Sequence, residues 1–90
     1  MFEWDTRKAD ANFRKHEVRF AEAFSVFEDS FAITIPDDAS DPHEERFVSI
    51  GTGAKQRVLV VVYCYREQNI RIISARPAEA QERWHYEENR

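Results

Sequence analysis

The sequence predicts an α+β domain in which helices pack on one face of a curved, mainly antiparallel, four-stranded sheet. Apolar residues recur with helical spacing over residues 9–27 and alternate as in strands over residues 31–75, and helix formers return over 78–88. Short turns join the strands, and because parallel pairing needs a crossover of a dozen or more residues, hairpins are expected. With 42% hydrophobic content, residues 1–90 are predicted to form a single domain around one core.

Two helices are predicted near the N-terminus. Asp5 suits the N-cap of a helix that ends near His16, since its carboxylate can accept from the free amides of the first turn. A second helix is predicted from Arg19 to Phe27, where Phe20, Ala23, Phe24 and Phe27 recur at i, i+3, i+4 and i+7. The link between the helices is very short, which predicts an abrupt turn although no glycine lies there.

Strands follow, separated by turn residues. They are predicted at 31–35, 45–50, 58–65 and 70–75, and residues 2–4 alternate as a short strand would. Pro36 ends the first of these strands by removing an amide donor, and a polar loop is expected over 37–43. Glycines at 51 and 53 predict a break after residue 50. Pro77 is expected at the first position of the C-terminal helix.

The charge is distributed unevenly. The net charge of −4 divides into −7 for residues 1–45, +5 for residues 46–76 and −2 for residues 77–90. This basic island predicts either a phosphate-binding surface or a docking site for an acidic partner. The alternative is that sheet-forming segments carry arginine on a solvated face.

Several classes of protein are not expected. The single Cys64 and three scattered histidines do not have the spacing of a zinc site, so neither a metal nor a disulfide is predicted. The chain lacks an apolar run of roughly 18 residues and a signal-peptide pattern, which predicts a cytoplasmic protein without a membrane partner.

Short motifs with specific spacing occur along nearly the whole chain. The N-terminal half contains Phe2-Glu3-Trp4-Asp5, Lys8, Asn12, Lys15-His16, Val18, Phe20, Ala23 and Val26-Phe27. The second half contains Glu44-Glu45-Arg46, Ile50-Gly51, Leu59-Val60-Val61 and the run Ile70-Arg71-Ile72-Ile73-Ser74-Ala75-Arg76, followed by Ala78, Glu82 and Tyr86. Together they resemble the BrnT family of bacterial toxins. The chain departs from that pattern at Glu17, where the family commonly has Gly, and at Ser30, where it commonly has Pro.

The resemblance implies a RelE-like fold and a type II toxin, a ribonuclease that blocks translation. It also implies a small BrnA-like, DNA-binding antitoxin as partner, so that operator DNA is contacted only through the antitoxin. The activity expected on this basis is that of a metal-independent endoribonuclease that acts on RNA and needs no cofactor.

Metal-free RNA cleavage uses the 2′-hydroxyl as nucleophile and needs a base, an acid and cations around the phosphate. Arg46 and Arg76 are candidates for the cations, because the guanidinium fork binds two phosphate oxygens at once. Lys15, Arg71 and Ser74 are further candidates for binding RNA phosphate. Strand alternation puts Arg71 on the face opposite Arg76, so the two serve one site only if the strand twists, bulges or ends between them.

Three more side chains are candidates for catalysis. Glu82 and Tyr86 share one face of the C-terminal helix. Glu82 is expected to pair with Arg76 or Arg46, while Tyr86 is either a base-stacking or proton-transfer group or a core anchor. His16 is either a general acid or base or a buried, hydrogen-bonded residue, and with Lys15 it also suits the end of a helix.

Two other functions stay open from the sequence. The first is a catalytically inactive toxin homologue that acts as a protein-binding module or co-repressor with the antitoxin. The second is an unrelated α+β domain that binds a protein partner through exposed aromatic residues. Retention of Arg46, Arg76 and Tyr86 favours the enzyme over the first, and the resemblance along nearly the whole chain argues against the second.

Overall fold

A mixed five-stranded sheet organises the chain in the computed structural model, which describes residues 1–37 and 43–90. The elements are β1 (Phe2–Glu3), α1 (Thr6–His16), a 3₁₀ helix (Phe20–Glu28), β2 (Ile33–Pro36), β3 (Arg46–Thr52), β4 (Val58–Arg66), β5 (Asn69–Pro77) and α2 (Ala80–Glu88). The sheet order is β1-β5-β4-β3-β2, with β1 parallel to β5 and the other pairs antiparallel.

The α+β class is confirmed, but the prediction of four strands was wrong. The fifth strand, β1, has two residues, and Phe2 pairs with Ile70 in β5. Local alternation cannot show a pairing between residues so far apart in the sequence. Most of the loop predicted over residues 37–43 lies outside the described residues.

The ends of α1 show how the chain turns without glycine. The Asp5 carboxylate caps the helix, accepting from the amides of Arg7 at 2.8 Å and Lys8 at 3.4 Å. At the other end Glu17 adopts the left-handed conformation with φ of 56°, and its amide donates to the Phe13 carbonyl at 2.8 Å. The abrupt turn was therefore predicted correctly, and a glutamate occupies a conformation that favours glycine.

The second helix is a 3₁₀ helix. Residues three apart eclipse one another in a 3₁₀ helix, and Phe20, Ala23 and Val26 are accordingly its buried apolar side chains, while Glu22 is buried as the partner of Arg57. Phe24 and Phe27 are only partly buried. The expected α-helical stripe was therefore wrong in its period, although the location of the helix was predicted to within about one residue.

The sheet has one face covered by α1 and the 3₁₀ helix. Leu59, Val61 and Tyr63 of β4 and Ile72 and Ala75 of β5 point into this core. The expectation that all helices share this face was wrong, because α2 contacts Thr52 and Arg76. The register places these two side chains on the opposite face of the sheet.

Two predicted boundaries also move. β3 continues through Gly51, where an added Cβ would lie 3.1 Å from Val26 and 3.2 Å from Ala32, so the missing side chain allows close packing. β5 continues to Pro77, and the amide of Ala78 still donates to β4, so α2 begins at Ala80 instead of at Pro77. In the described part of the chain, no helix is long and apolar enough to cross a membrane.

Candidate active site

A β-bulge in β5 determines which side chains share the face opposite α1 and the 3₁₀ helix. Val62 of β4 pairs with Ser74, while the next residue of β4, Tyr63, pairs with Ile72, so Ile73 is the extra residue. Arg71, Ser74 and Arg76 consequently lie on one face. Regular alternation would put Arg71 on the other face. A bulge is one of the ways in which Arg71 and Arg76 can share a face, and it is the one that the structure has.

Arg46 joins the same face from β3. It pairs with Cys64 of β4, which in turn pairs with Arg71 of β5, so the three residues form a row across the sheet. Burial raises the pKa of the Cys64 thiol, which makes it an inert part of the sheet. No cluster of three or more His, Cys, Asp or Glu residues able to hold a metal ion occurs within residues 1–37 and 43–90.

Arg76 is held by Glu82, the partner predicted from the sequence. Its Nη1 and Nη2 donate to the two oxygens of that carboxylate, each at 2.8 Å, and Nη1 also contacts the Pro77 carbonyl at 3.3 Å. The hydrogen bond with Arg76 lowers the pKa of Glu82, against a smaller opposing effect of burial. Glu82 is therefore a charged positioning group for Arg76, which is itself about one-third exposed.

A groove of about 230 Å³ lies between α1 and β5, and three predicted site residues line it. They are Lys15, His16 and Ser74. Burial, followed by the positive charges of Lys15 and Arg76, lowers the pKa of His16 below its ordinary value of 6.5. The imidazole is half-buried and makes no hydrogen bond to a described residue, so the hydrogen-bonded core alternative is not observed. Arg76 does not line the groove itself, but its charge acts on His16.

Tyr86 lies elsewhere. Its side chain is 2% exposed, and its hydroxyl is hydrogen-bonded to the carboxylate of Asp29 and, at 2.9 Å, to the Thr52 hydroxyl. Burial and the bond to Asp29 raise its pKa. A ring buried in this way cannot stack on an RNA base. The burial and the two hydroxyl bonds fit the core-anchor alternative, in which Tyr86 fixes α2, and a proton-transfer role of Tyr86 stays a prediction.

The basic island is largely neutralised within the fold. Four of its arginines pair with glutamates, three of which come from the acidic N-terminal segment: Arg57 with Glu22, Arg66 with Glu44, Arg71 with Glu3 and Arg76 with Glu82. Summing charge along the sequence therefore overstates the basic character of this surface.

Asn12 is a positioning residue whose function the sequence analysis did not recognise. Its side chain is 7% exposed and bonds both backbone groups of Ala75, donating to the carbonyl at 2.8 Å and accepting from the amide at 3.1 Å. It also donates to the Val18 carbonyl at 3.0 Å. The Asn12 amide thereby closes the edge of β5 one residue before Arg76 and fixes that strand to α1. A polar residue beside the apolar stripe of α1 is the only sequence signal for this role.

Comparisons with known proteins identify the family of this chain. The family described as "Ribonuclease toxin, BrnT, of type II toxin-antitoxin system" matches residues 4–82. The fold is similar to the crystal structure of the Brucella abortus ribonuclease toxin BrnT, with a TM-score of 0.70 and 27% sequence identity, over 88% of this chain and 97% of that one. No curated protein is a significant match. Since the family match spans nearly all of the sequence, the chain belongs to the BrnT family of ribonuclease toxins of type II toxin–antitoxin systems.

Proposed function

We propose that this protein is a metal-independent endoribonuclease toxin that inhibits translation by cleaving RNA. The observation that carries the proposal is the pairing of Arg76 with Glu82, in an arginine whose charge acts on His16 in the groove lined by Lys15 and Ser74. Family membership supplies the reaction class, and this cluster offers a phosphate-binding group next to a base.

Arg76 is suited to binding the scissile phosphate. Glu82 occupies the two terminal nitrogens of the guanidinium, so one edge, formed by Nε and the second hydrogen of Nη2, has no partner among the described residues. Two parallel N–H groups on one edge match two phosphate oxygens and stabilise the negative charge that develops in the transition state. Because Glu82 fixes the plane of the guanidinium, this edge needs no reorganisation when RNA binds.

His16 is suited to the role of general base. Its lowered pKa keeps the imidazole neutral at physiological pH, so a ring nitrogen can accept the proton of the attacking 2′-hydroxyl. The new bond joins the 2′ oxygen to phosphorus and gives a 2′,3′-cyclic phosphate as the bond to the 5′ oxygen breaks, and the 5′ oxygen takes up a proton from water to leave as a 5′-hydroxyl. Lys15 and Ser74 would bind the non-bridging phosphate oxygens, and Arg46 and Arg71 would contact RNA further along the same face of the sheet.

We also propose a BrnA-like antitoxin as the neutralising partner. The family is defined as the toxin of a type II pair, which implies an antitoxin. The antitoxin is expected to cover the face that carries Arg46, Arg71 and Arg76, and any contact with operator DNA is expected to be made by the antitoxin.

Induced expression in a bacterial host tests the activity. Wild-type protein should arrest growth and produce new RNA 5′ ends, and Arg76→Ala at equal protein level should abolish both. Arg66→Ala is the matched control, since it breaks another Arg–Glu pair, with Glu44, at the far end of the same sheet. This control should retain toxicity. Purified protein should cleave RNA equally well in excess EDTA.

The outcomes separate the alternatives. If folded wild-type protein produces no new RNA ends but still binds its antitoxin, the inactive co-repressor replaces the enzyme. If Arg76→Ala and Arg66→Ala behave alike, Arg76 is not in the site.

A further inference from the structure

Among the described residues, the positive charge of α1 is not compensated by ion pairs. This helix carries four basic side chains, at 7, 8, 14 and 15, and one acidic side chain, Asp10, a net charge of +3. Lys8 and Lys15 are exposed, and neither forms an ion pair with any residue that the structure describes. This differs from the four arginines of the basic island that pair with glutamate.

Both lysines border the groove between α1 and β5. They are seven residues apart, about two helical turns or 10.5 Å, and so lie on the same side of the helix. Asp10 lies on the other side of α1, where it lines a separate depression with Trp4. None of the residues that line the groove is acidic. The groove is thus a positively charged channel with its Lys15 end near His16 and Arg76.

The floor of the channel is suited to a nucleotide. Ala11 and Ile73 provide apolar surface, and Ser74 and the two lysines are polar lining residues. A single strand of RNA needs such a combination of cations along its backbone and apolar contact for ribose or base. Since Lys8 is two turns from Lys15, a phosphate at Lys8 belongs to a different nucleotide from the phosphate at Arg76.

We propose that this channel is a subsite for single-stranded RNA flanking the cleavage point, in which Lys8 binds the phosphate of a neighbouring nucleotide. The inference rests on the proposed ribonuclease function. It adds the path of the RNA strand, which runs along α1 from the C-terminal end of this helix, at Lys15, to its N-terminal end, at Lys8. Lys8 is here a substrate-binding residue that does not touch the reacting atoms.

The test compares Lys8→Gln with Lys55→Gln, which removes the same charge from an exposed lysine in the β3–β4 turn. Affinity is measured with a 2′-O-methyl RNA oligonucleotide, which cannot be cleaved because it lacks the nucleophile. Lys8→Gln should weaken binding about two- to fivefold and reduce the slope of log K against log salt by about 0.7, the loss of one single-strand phosphate contact. Lys55→Gln should match the wild type.

Substrate length provides the second measurement. Cleavage of a dinucleotide, which cannot reach Lys8, should be unchanged in Lys8→Gln, whereas kcat/KM for a longer RNA should fall by the factor seen in binding. If the wild type cleaves RNA but Lys8→Gln behaves like Lys55→Gln, the inference is overturned and the proposed function stays intact. Weaker antitoxin binding with unchanged RNA affinity also overturns it. If the wild type neither binds nor cleaves RNA, the proposed function itself fails.

Discussion

Arg57 and Arg76 each bind a glutamate with two N–H groups, but they use different edges of the guanidinium. Arg57 contacts Glu22 through Nε at 2.6 Å and Nη2 at 2.8 Å, and Nη2 also donates to the Glu17 carbonyl. Arg76 contacts Glu82 through its two terminal nitrogens. The edge that suits phosphate is therefore occupied in Arg57 and available in Arg76, which supports the proposal that Arg76, and not Arg57, binds substrate.

The pKa of His16 predicts a pH dependence. Because burial and the charges of Lys15 and Arg76 lower this pKa below 6.5, kcat/KM should rise with pH through a value below 6.5 and stay level at neutral pH. His16→Asn should lower the plateau and remove this limb of the profile. The unfolded chain binds the same proton more tightly, so His16 also makes the folded state lose stability as pH falls below 6.5. A rate–pH profile unchanged by His16→Asn would exclude the base role.

Asn12 predicts a large effect on stability. Asn12→Leu leaves the amide and carbonyl of Ala75 and the carbonyl of Val18 without their partner, so the free energy of unfolding should fall by at least about 2 kcal/mol. Urea denaturation measures this. Ser49→Ala is the control, because it removes a hydroxyl that is equally buried but distant from Arg76. Ser49→Ala should keep full ribonuclease activity. If both variants lost activity, the loss in Asn12→Leu would reflect lower stability and not the position of Arg76.

Among the elements, those with local patterns were predicted well. The Asp5 cap, the continuous apolar run of β4 and the alternation in β3 each involve residues close in sequence, and the structure has these elements within a few residues of the predicted bounds. β1 and the bulge at Ile73 depend on pairing with a distant strand, which local patterns do not report. The positive charge of α1 could not be recognised from the net charge of residues 1–45, which is negative.

The turn after α1 predicts a stabilising substitution. Glu17 has φ of 56°, a conformation in which a side chain costs free energy and glycine does not. Glu17→Gly should raise the free energy of unfolding by about 0.5–1 kcal/mol, since the relief of strain exceeds the entropy that glycine loses on folding. Glu17→Ala removes the same charge but keeps Cβ, and it should give no gain. Equal stabilities of the two variants in urea denaturation would mean that the backbone is not strained.

At the scale of the whole molecule, the acidic and basic segments fold against each other. Glu3, Glu22 and Glu44 of the acidic segment each bind an arginine of the basic island. The phosphate-binding surface suggested by the charge sum is thereby reduced to a smaller region around Arg76 and the α1 groove.

This reduction predicts a moderate salt dependence of RNA binding. If Arg76, Lys15 and Lys8 alone make the phosphate contacts, log K should fall against log salt with a slope of about −2, at roughly 0.7 per phosphate, and phosphate contacts of Arg46 and Arg71 as well would steepen it to about −3.5. Engagement of all six basic residues of the island would give a slope of about −4. Affinity for a non-cleavable RNA over a range of NaCl concentrations distinguishes these values, and the steeper slope would show that the Arg–Glu pairs open on binding.

The bulge in β5 makes the site depend on the number of residues in a strand as well as on their identity. Removing Ile73 alone would hardly alter the composition, charge or hydropathy of the protein. It would also leave Arg71 and Arg76 four positions apart, a spacing at which regular alternation keeps both on the same side of the sheet. The opposite change, a β5 of the present length that pairs without a bulge, would point one of the two guanidinium groups into the layer that α1 and the 3₁₀ helix fill. Deletion of Ile73 is accordingly expected to preserve the shared face of the two arginines, whereas a substitution that abolishes the bulge and keeps the residue count is expected to separate them.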